Sequence, residues 1–243
     1  MELNKIYNED CIDGMKRIPD KSIDAIICDL PYGTTRNKWD CIIPLDKLWE
    51  QYKRIIKDKG AIVLFAQCPF DKVLGASNLK MLRYEWIWQK DTGTGFLNAN
   101  LMPLKDHENI LVFYKNLPTY NPQMKEGKPY YRKRLSASSN YGKVQDVTIT
   151  DNKGFRYPTT IINFPRDTDK LHPTQKPLAL ISYLIQTYTN EGDLVLDNCM
   201  GSGTTAVACT ELKRNFIGFE LDKGYYDIAI KRLDKARAEL TLF

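Results

Sequence analysis

Two short loops contain the side chains with the most chemical potential. Asp29-Leu30-Pro31-Tyr32 follows an apolar run at 23–28, and Asp197-Asn198-Cys199-Met200-Gly201-Ser202-Gly203-Thr204-Thr205 follows the apolar residues 194–196. The first loop offers a carboxylate, a backbone carbonyl and an aromatic ring, which suit the exocyclic amino group of a nucleobase turned out of its helix. The second offers a glycine turn of the kind that approaches nucleotide-like ligands. Together they predict the two halves of a methyl-transfer site.

The first loop is predicted to activate a weak nucleophile. The lone pair of an exocyclic amine is delocalised into the ring of the base. If Asp29 accepts one amino hydrogen and the Leu30 carbonyl accepts the other, the nitrogen moves toward tetrahedral geometry. Pro31 has no N–H and restricts the backbone of Leu30, while Tyr32 can stack on the base. The alternative is an ordinary turn, since Asp and Pro are common in turns.

The second loop is predicted to bind the cofactor. Its glycines allow a sharp turn, Thr204 or Thr205 is expected to cap the following helix, and Glu220 lies at the spacing of an acidic residue that holds both ribose hydroxyls. Asp197 before the glycines would repel a pyrophosphate and favours a ligand with a cationic end, as in S-adenosylmethionine. The alternative is a structural turn between a strand and a helix.

Hydrophobic spacing predicts the elements that position these loops in an α/β fold with a mostly parallel sheet. The carboxyl ends of parallel strands share one sheet edge, so both loops are expected there. Residues 93–100 are predicted to form a lid. The predicted strands are 23–28, 61–66, 84–89, 110–114, 194–196 and 216–219, and the predicted helices are 45–56 with a stop at Gly60, 178–188, 204–212 and 222–240.

The composition is that of an ordinary globular protein, with 243 residues, 43% hydrophobic and 27% charged. The chain has no apolar stretch of membrane-spanning length and no signal-peptide pattern, so a cytoplasmic protein without membrane contact is expected. The two histidines and six cysteines show no metal-binding spacing, so we expect no metal and reduced cysteines.

Positive charge is concentrated in one segment. Residues 115–157 contain nine Lys or Arg against three acidic residues, and the net charge of the whole chain is +5. Cations mixed with aromatic rings suit phosphates and exposed bases, although a solvated surface is the alternative. The residues predicted to contact DNA are Lys125, Lys128, Tyr130, Tyr131, Arg132, Lys133, Arg134 and Lys143.

These motifs resemble the DNA amino-methyltransferases of the permuted, or beta, group, in which the catalytic loop precedes the cofactor loop. The resemblance covers nearly the whole chain. Asp29 to Tyr32 is similar to the family's D-P-P-Y motif, and 197–205 is similar to its D-P-F-x-G-S-G-T-T loop. Asn8 to Cys11 resembles its opening acidic loop, and 172–177 resembles the segment that lines the methionine side of the cofactor.

The resemblance implies a Rossmann-like methyltransferase with an inserted recognition segment. Its parts would be a catalytic half at 1–114, a target-recognition insert at 115–165 and a cofactor half at 166–243. S-adenosylmethionine would be converted to S-adenosylhomocysteine. The cofactor residues would be Asp10, Cys11, Thr174, Gln175, Lys176, Asp197, Gly201, Ser202, Gly203, Thr204 and Glu220.

Two positions depart from the family pattern. Leu30 replaces a proline and should be tolerated, because that position contributes a backbone carbonyl. Asn198-Cys199 replace Pro-Phe, which removes an aromatic wall near the cofactor. Trp88-Gln89-Lys90 and His107-Glu108 also resemble family signatures, but no catalytic role is assigned to them.

The resemblance implies methylation of the N6 amino group of adenine in double-stranded DNA, because Asp at position 29 is the more usual residue in adenine enzymes. The alternatives are cytosine N4 methylation, N-methylation of RNA or protein, and an inactive DNA-binding relative. The sequence leaves open the recognition sequence, a homodimer, a cognate restriction endonuclease, and a phage or chromosomal origin.

Overall fold

The computed structural model describes residues 1–33, 41–134, 148–168 and 175–240. The chain forms two compact units, one made of residues 1–121 and 160–243 and the other of residues 122–159. Among the described residues, no helix combines the length and the apolar character that a membrane crossing needs.

The larger unit is built on one eight-stranded sheet with the order β1-β12-β11-β2-β3-β5-β4-β10. Strand β5 pairs antiparallel with β3 and with β4, and the other neighbours pair in parallel. The predicted mixed but mostly parallel sheet is therefore confirmed. The strands are β1 (Lys5–Tyr7), β2 (Ile23–Asp29), β3 (Ile56–Ala66), β4 (Leu82–Thr94), β5 (Lys105–Phe113), β10 (Ile161–Asn163), β11 (Leu194–Asp197) and β12 (Asn215–Phe219).

Helices cover both faces of this sheet, because its strands are apolar on both faces. Alternate residues of β3 enter different cores: Val63 and Phe65 pack with the side of the sheet covered by α4, α5 and α6, and Ile62 and Leu64 pack with the side covered by α1, α2 and α3. The helices are α1 (Cys11–Met15), α2 (Leu45–Ile55), α3 (Phe70–Ser77), α4 (Leu178–Tyr188), α5 (Thr204–Glu211) and α6 (Lys223–Leu240).

Strands β11 and β2 are parallel neighbours, and the order in which the chain adds strands to the sheet changes direction between them. From β2 the chain continues to β3 on one side, and from β11 it continues to β12 on the other. In open α/β sheets, ligands bind outside the carboxyl ends of the strands at such a switch point. Asp29 and Asp197 are the last residues of these two adjacent strands, so the topology brings both predicted loops to one place.

The prediction that Gly60 ends a helix is wrong, because Gly60 lies within β3. Helix α2 ends at Ile55, and the register against β2 shifts between the pairs Ile23↔Ile56 and Ala25↔Ala61. A Cβ atom at position 60 would lie 2.8 Å from the Asp24 carbonyl oxygen and 2.6 Å from Ile56 Cδ1. The glycine is therefore required by the close approach of two strands.

Residues 93–100, predicted as a lid, belong to the connection between β4 and β5. Strand β4 continues to Thr94, and a 3₁₀ turn covers Phe96–Asn98. Strand β4 continues past its predicted end at 89, and β5 begins before its predicted start at 110, because Thr94 pairs with Lys105 after a register shift. The segment is thus the tip of a hairpin.

In the described part of the smaller unit, residues 122–159, there are two separate two-stranded antiparallel sheets. Arg156 organises it: its guanidinium lies 4.6 Å from the centre of the Tyr130 ring and donates to the Asn152 side chain and the Lys128 carbonyl. The four strands are β6 (Lys125–Glu126), β7 (Tyr130–Arg134), β8 (Thr148–Asn152) and β9 (Phe155–Arg156).

Candidate active site

The carboxyl ends of β2, β11 and β12 open into one cavity of about 860 Å³ within the larger unit. All four residues of the predicted catalytic loop line it. Gly203 is not among the lining residues, and Thr174 is outside the described residues. The predicted cofactor residues in the lining are Asp10, Cys11, Gln175, Lys176, Asp197, Gly201, Ser202, Thr204 and Glu220.

Asp29 is held from two sides. The Tyr32 hydroxyl donates to Oδ1 at 2.7 Å, and the Lys176 ammonium donates to Oδ2. The Tyr32 ring stacks on Phe70 with ring centres 5.5 Å apart. Each carboxylate oxygen has two acceptor sites, so both oxygens keep acceptor capacity for a further donor in the cavity.

Leu30 is buried and also lines the cavity. It is 3% exposed as a whole residue and belongs to the core under α1, α2 and α3. A leucine in place of the family's proline therefore adds apolar burial at this position. The side chain does not enter the chemistry predicted for the loop.

Lys176 belongs to a buried network of alternating charge. Its Nζ lies 3.2 Å from Glu108 Oε2, and Glu108 Oε1 lies 2.7 Å from Lys90 Nζ. The side chains of Glu108, Lys90 and Lys176 are 12%, 8% and 7% exposed. Together with Asp29 they form two cations and two anions, which balances their charge inside the protein. Lys176, predicted from the resemblance to line the cofactor site, thus also contacts the carboxylate of the predicted catalytic loop.

Burial and charge oppose each other in this network. Burial raises the pKa of Asp29, Lys176 opposes the rise, and Glu108 adds to it. Burial alone would lower the pKa of Lys176, but the Asp29 and Glu108 carboxylates outweigh it and the pKa is raised. The Lys176 ammonium therefore stays charged. The Asp29 carboxylate has this ammonium as its ion-pair partner, and its pKa is nevertheless raised.

The glycine turn is held by Glu220. Glu220 Oε2 accepts from the Gly201 N–H at 2.7 Å, and Oε1 accepts from the Asp222 N–H at 2.8 Å. Gly203 has φ +82°, and a Cβ there would lie 3.0 Å from the Cα of Ala229. The turn therefore depends on glycine for both its backbone conformation and its contact with α6.

The predicted threonine cap of α5 is wrong. The N-cap is Gly203, without a side-chain cap bond, and the Thr205 hydroxyl donates instead to Asp197 Oδ2 at 2.6 Å. Asp197 Oδ1 accepts from the Cys199 N–H at 3.0 Å. Thr205 lies in the first turn of α5, where its hydroxyl donates to a buried carboxylate in a charge-assisted hydrogen bond instead of accepting from the backbone N–H groups of the helix.

The pKa values of the Asp197 and Glu220 carboxyl groups are both raised. Burial raises the pKa of Asp197 to about 6, opposed by the bond from Thr205. Burial raises the pKa of Glu220 to about 7, opposed by the N–H groups of Asp222 and Gly201. Perturbed carboxyl groups in a cavity are typical of functional sites.

The remaining wall is formed by the start of α1 and the loop after β11. Asp10 caps α1 by accepting from the N–H groups of Ile12 and Asp13. Asn198 is buried, accepts from the Tyr52 hydroxyl, and places its Nδ2 3.6 Å from Cys11 Sγ. The departure Asn198-Cys199 thus replaces an apolar wall with polar contacts to Tyr52 and Cys11.

Sequence reasoning missed three residues. Glu108 and Lys90 belong to the two signatures that received no role; their strands are neighbours, with Trp88 opposite Glu108. Proximity on adjacent strands was the available signal. Arg232 of α6 donates to the Ser202 carbonyl at 2.8 Å and to Thr204 Oγ1 at 3.1 Å. It had no signal, because it is one of several basic residues in an amphipathic helix.

Comparison with known proteins identifies the class. A family model described as DNA methylase, for N6 and N4 methyltransferases, matches residues 23–231. This chain belongs to that DNA methylase family. The match includes both loops of the cavity and the segment between them.

Several characterised proteins are similar along almost the entire chain. The type II methyltransferase M.HpaI of Haemophilus parainfluenzae is 31% identical, over 95% of this chain and 74% of its own length. M.BglII of Bacillus subtilis, also a type II methyltransferase, is 30% identical over 95% and 69%. The DNA adenine methyltransferase YhdJ of Escherichia coli (strain K12) is 28% identical over 97% and 84%.

Solved structures agree on the fold. The M1.HpyAVI–SAM complex is 27% identical, with a TM-score of 0.66 over 94% of this chain and 99% of that one. The cytosine-N4-specific PvuII DNA methyltransferase has a TM-score of 0.71 over 98% and 91%, at 14% identity. At that identity the second likeness concerns the fold alone.

Glu108→Gln is expected to lower the free energy of unfolding by about 3–5 kcal/mol, because it leaves two buried cations with one anion. The double variant Glu108→Gln/Lys90→Met should recover part of this loss, because it restores the charge balance. Urea unfolding at neutral pH measures both. Glu239→Gln removes one partner of the exposed pair with Lys235 and should change stability by less than about 1 kcal/mol. A Glu108→Gln protein as stable as the wild type contradicts the network.

Proposed function

We propose that this protein transfers a methyl group from S-adenosylmethionine to the N6 amino group of adenine at a specific site in double-stranded DNA. One observation carries the proposal: the Asp29 loop and the Gly201 turn with Glu220 line the same cavity. The membership of the DNA methylase family and the likeness to a named DNA adenine methyltransferase support it.

The residues of the glycine turn fit S-adenosylmethionine. Each carboxylate oxygen of Glu220 accepts one backbone N–H group. Each oxygen therefore has a further acceptor site for a ribose hydroxyl. Asp10 and Cys11 line the cavity at the start of α1, where the adenine of the cofactor would lie, and Gln175 and Asp197 would face the methionine part. When bound, the cofactor supplies a methyl group on a positively charged sulfur.

The catalytic loop fits an exocyclic amine. Asp29 and the Leu30 carbonyl would each accept one amino hydrogen, and Tyr32 would lie against the extruded base. The amine loses one proton in the reaction, and Asp29 is the carboxylate placed to accept it. Tyr32 and Lys176 fix the orientation of that carboxylate before the base arrives, so little reorganisation is needed.

Cytosine N4 methylation is the second candidate. The family model covers both N6 and N4 enzymes, and the same two acceptors fit the amino group of either base. Nucleoside mass spectrometry of incubated DNA separates them, because it distinguishes 6-methyladenine from 4-methylcytosine.

The insert is proposed to recognise the target sequence. In β7, Tyr130 and Arg132 alternate with Tyr131 and Lys133, so both faces of the strand present a ring and a cation. Lys125, Lys128, Arg132 and Lys133 are exposed, whereas Arg156 is used inside the unit. Of the other predicted contacts, Lys143 lies outside the described residues.

The type II relatives support a place in a restriction–modification system with a cognate endonuclease. That partner remains a prediction, as do a homodimer and a cytoplasmic location.

Asp29→Ala is expected to lower methyl transfer at least about 100-fold, since it removes the acceptor that orients the amine. Asp29→Ala also removes a partner of Lys176, so binding is compared under conditions in which both proteins are folded. Binding of S-adenosylhomocysteine, measured by calorimetry, should then stay within about threefold of the wild type, because the hydrogen bonds of Glu220 and the Gly201 turn do not involve Asp29. The control Asp234→Ala, on the exposed side of α6, should leave both unchanged. Substantial turnover by Asp29→Ala would exclude the assigned role.

Cofactor binding should weaken as the pH falls. The pKa of Glu220 is about 7, and ribose hydroxyls donate to the ionised form, so binding must displace a proton below that pH. Affinity for S-adenosylhomocysteine should drop about tenfold from pH 8 to pH 6. Glu220→Gln should bind more weakly, with only the smaller dependence from Asp197, whose pKa is about 6. An equal pH dependence in Glu220→Gln would show that Glu220 does not hold the cofactor.

Arg132→Ala/Lys133→Ala should weaken DNA binding at low salt. Each lost phosphate contact should reduce the slope of log K against log salt by about 1. Fluorescence anisotropy with a labelled duplex at several salt concentrations measures the slope. The control Lys231→Ala/Lys235→Ala carries the same charge change on α6. An unchanged slope in the insert variant would refute its contact with phosphates.

A further inference from the structure

The connection between β4 and β5 exposes an unusual amount of apolar surface. Phe96, Leu97 and Leu101 are 75%, 85% and 80% exposed, and Met102 and Leu104 are 51% and 45% exposed. Five large apolar side chains within nine residues form a patch of the kind that marks an interaction site. We call residues 95–104 the apolar tip.

The apolar tip is a turn held by backbone hydrogen bonds. The Asn98 N–H donates to the Gly95 carbonyl, and the N–H groups of Leu101 and Met102 both donate to the Asn98 carbonyl. At the base, Thr94 Oγ1 donates to the Lys105 carbonyl at 3.1 Å. These bonds hold the apolar side chains outward on a defined turn.

The base of the tip is also part of the cavity wall. Lys90 and Thr94 line the cavity, and so does Arg166, which lies 3.2 Å from Asp91 and also donates to the Thr92 side chain. The tip therefore begins one residue beyond the lining. The tip is thus next in the chain to the wall of the cavity that is proposed to receive the extruded base.

We propose that the apolar tip inserts Phe96 and Leu97 into the base stack of the target duplex, where they fill the space left by the extruded base. The inference rests on the proposed function. Apolar wedges are used by DNA-binding proteins to unstack base steps, and extrusion costs a few kcal/mol that a wedge can offset.

The composition of the tip favours DNA over a second copy of the chain. Residues 95–104 contain no acidic side chain that would repel phosphates, and Asp91 at the base is paired with Arg166. Asn98 and Asn100 flank the apolar residues, and asparagine side chains hydrogen-bond to base edges. A duplex with its target base in the cavity would lie close to this surface, because the tip continues directly from Thr94 in the cavity wall.

The test compares paired and unpaired targets. The recognition sequence is first read by sequencing methylated DNA from the wild-type reaction. Phe96→Ser/Leu97→Ser should then lower kcat/KM on the normal duplex at least about tenfold, because the cost of extrusion is no longer offset. On a duplex with an abasic site opposite the target base, extrusion costs less, and the loss should be less than about threefold.

The matched control is Leu79→Ser/Leu117→Ser. These residues are 68% and 76% exposed and lie near the start of β4 and after the end of β5, at the opposite end of the hairpin from the tip. This variant should match the wild type on both substrates. With 2-aminopurine at the target position, the fluorescence increase on binding should be reduced in the tip variant and retained in the control.

Three outcomes would overturn the wedge: equal losses on the two substrates, no loss on either, or a change from dimer to monomer in light scattering of the tip variant, which would assign the patch to a second copy. A wild-type protein that forms no methylated base is a different result, since it would refute the proposed function itself. Calorimetry with S-adenosylhomocysteine confirms that the tip variant is folded.

Discussion

The ion pair between Lys176 and Asp29 connects two parts of the chain that are 147 residues apart. Asp29 is the last residue of β2, and Lys176 lies just before α4. The Lys176 side chain is 7% exposed and the Asp29 side chain is 24% exposed, so the buried ammonium depends most on its partner. Glu108 and Lys90 complete the balance, and together the four residues fix the carboxylate that is proposed to orient the amine. The order of the active site is therefore inseparable from the stability of the fold.

The sheet topology makes this pairing possible. Strands β2 and β11 are adjacent and parallel, and the chain leaves them in opposite directions. Their carboxyl ends must then diverge into loops that face a common crevice. A permuted order of catalytic and cofactor loops gives the same crevice, because only the adjacency of the strands matters. Glu220, at the end of the next strand, closes the third side and holds the glycine turn at the same time.

Much of this could be predicted from the sequence where the signal is local. The apolar runs before Asp29 and Asp197 and the helical spacing of 178–188 identified the strands and the helix around the site. Signals that depend on tertiary partners were missed. The sequence predicts a helix stop at Gly60, but this glycine allows the close contact of two strands. The sequence predicts Thr204 or Thr205 as a helix cap, but the Thr205 hydroxyl donates to the buried Asp197. Glu108 and Arg232 acquire meaning only from neighbours distant in the chain. The residue-by-residue roles in cofactor and DNA binding, and the bounds of the insert, remain predictions.

The most direct measurement is a crystal structure of the protein with its target duplex and S-adenosylhomocysteine. The expected result is an extruded adenine whose N6 lies within hydrogen-bond distance of both an Asp29 carboxylate oxygen and the Leu30 carbonyl, with the cofactor sulfur on the open side of the nitrogen and the ribose on Glu220. The contradicting result is a base bound away from Asp29, or a cofactor and a base in separate cavities.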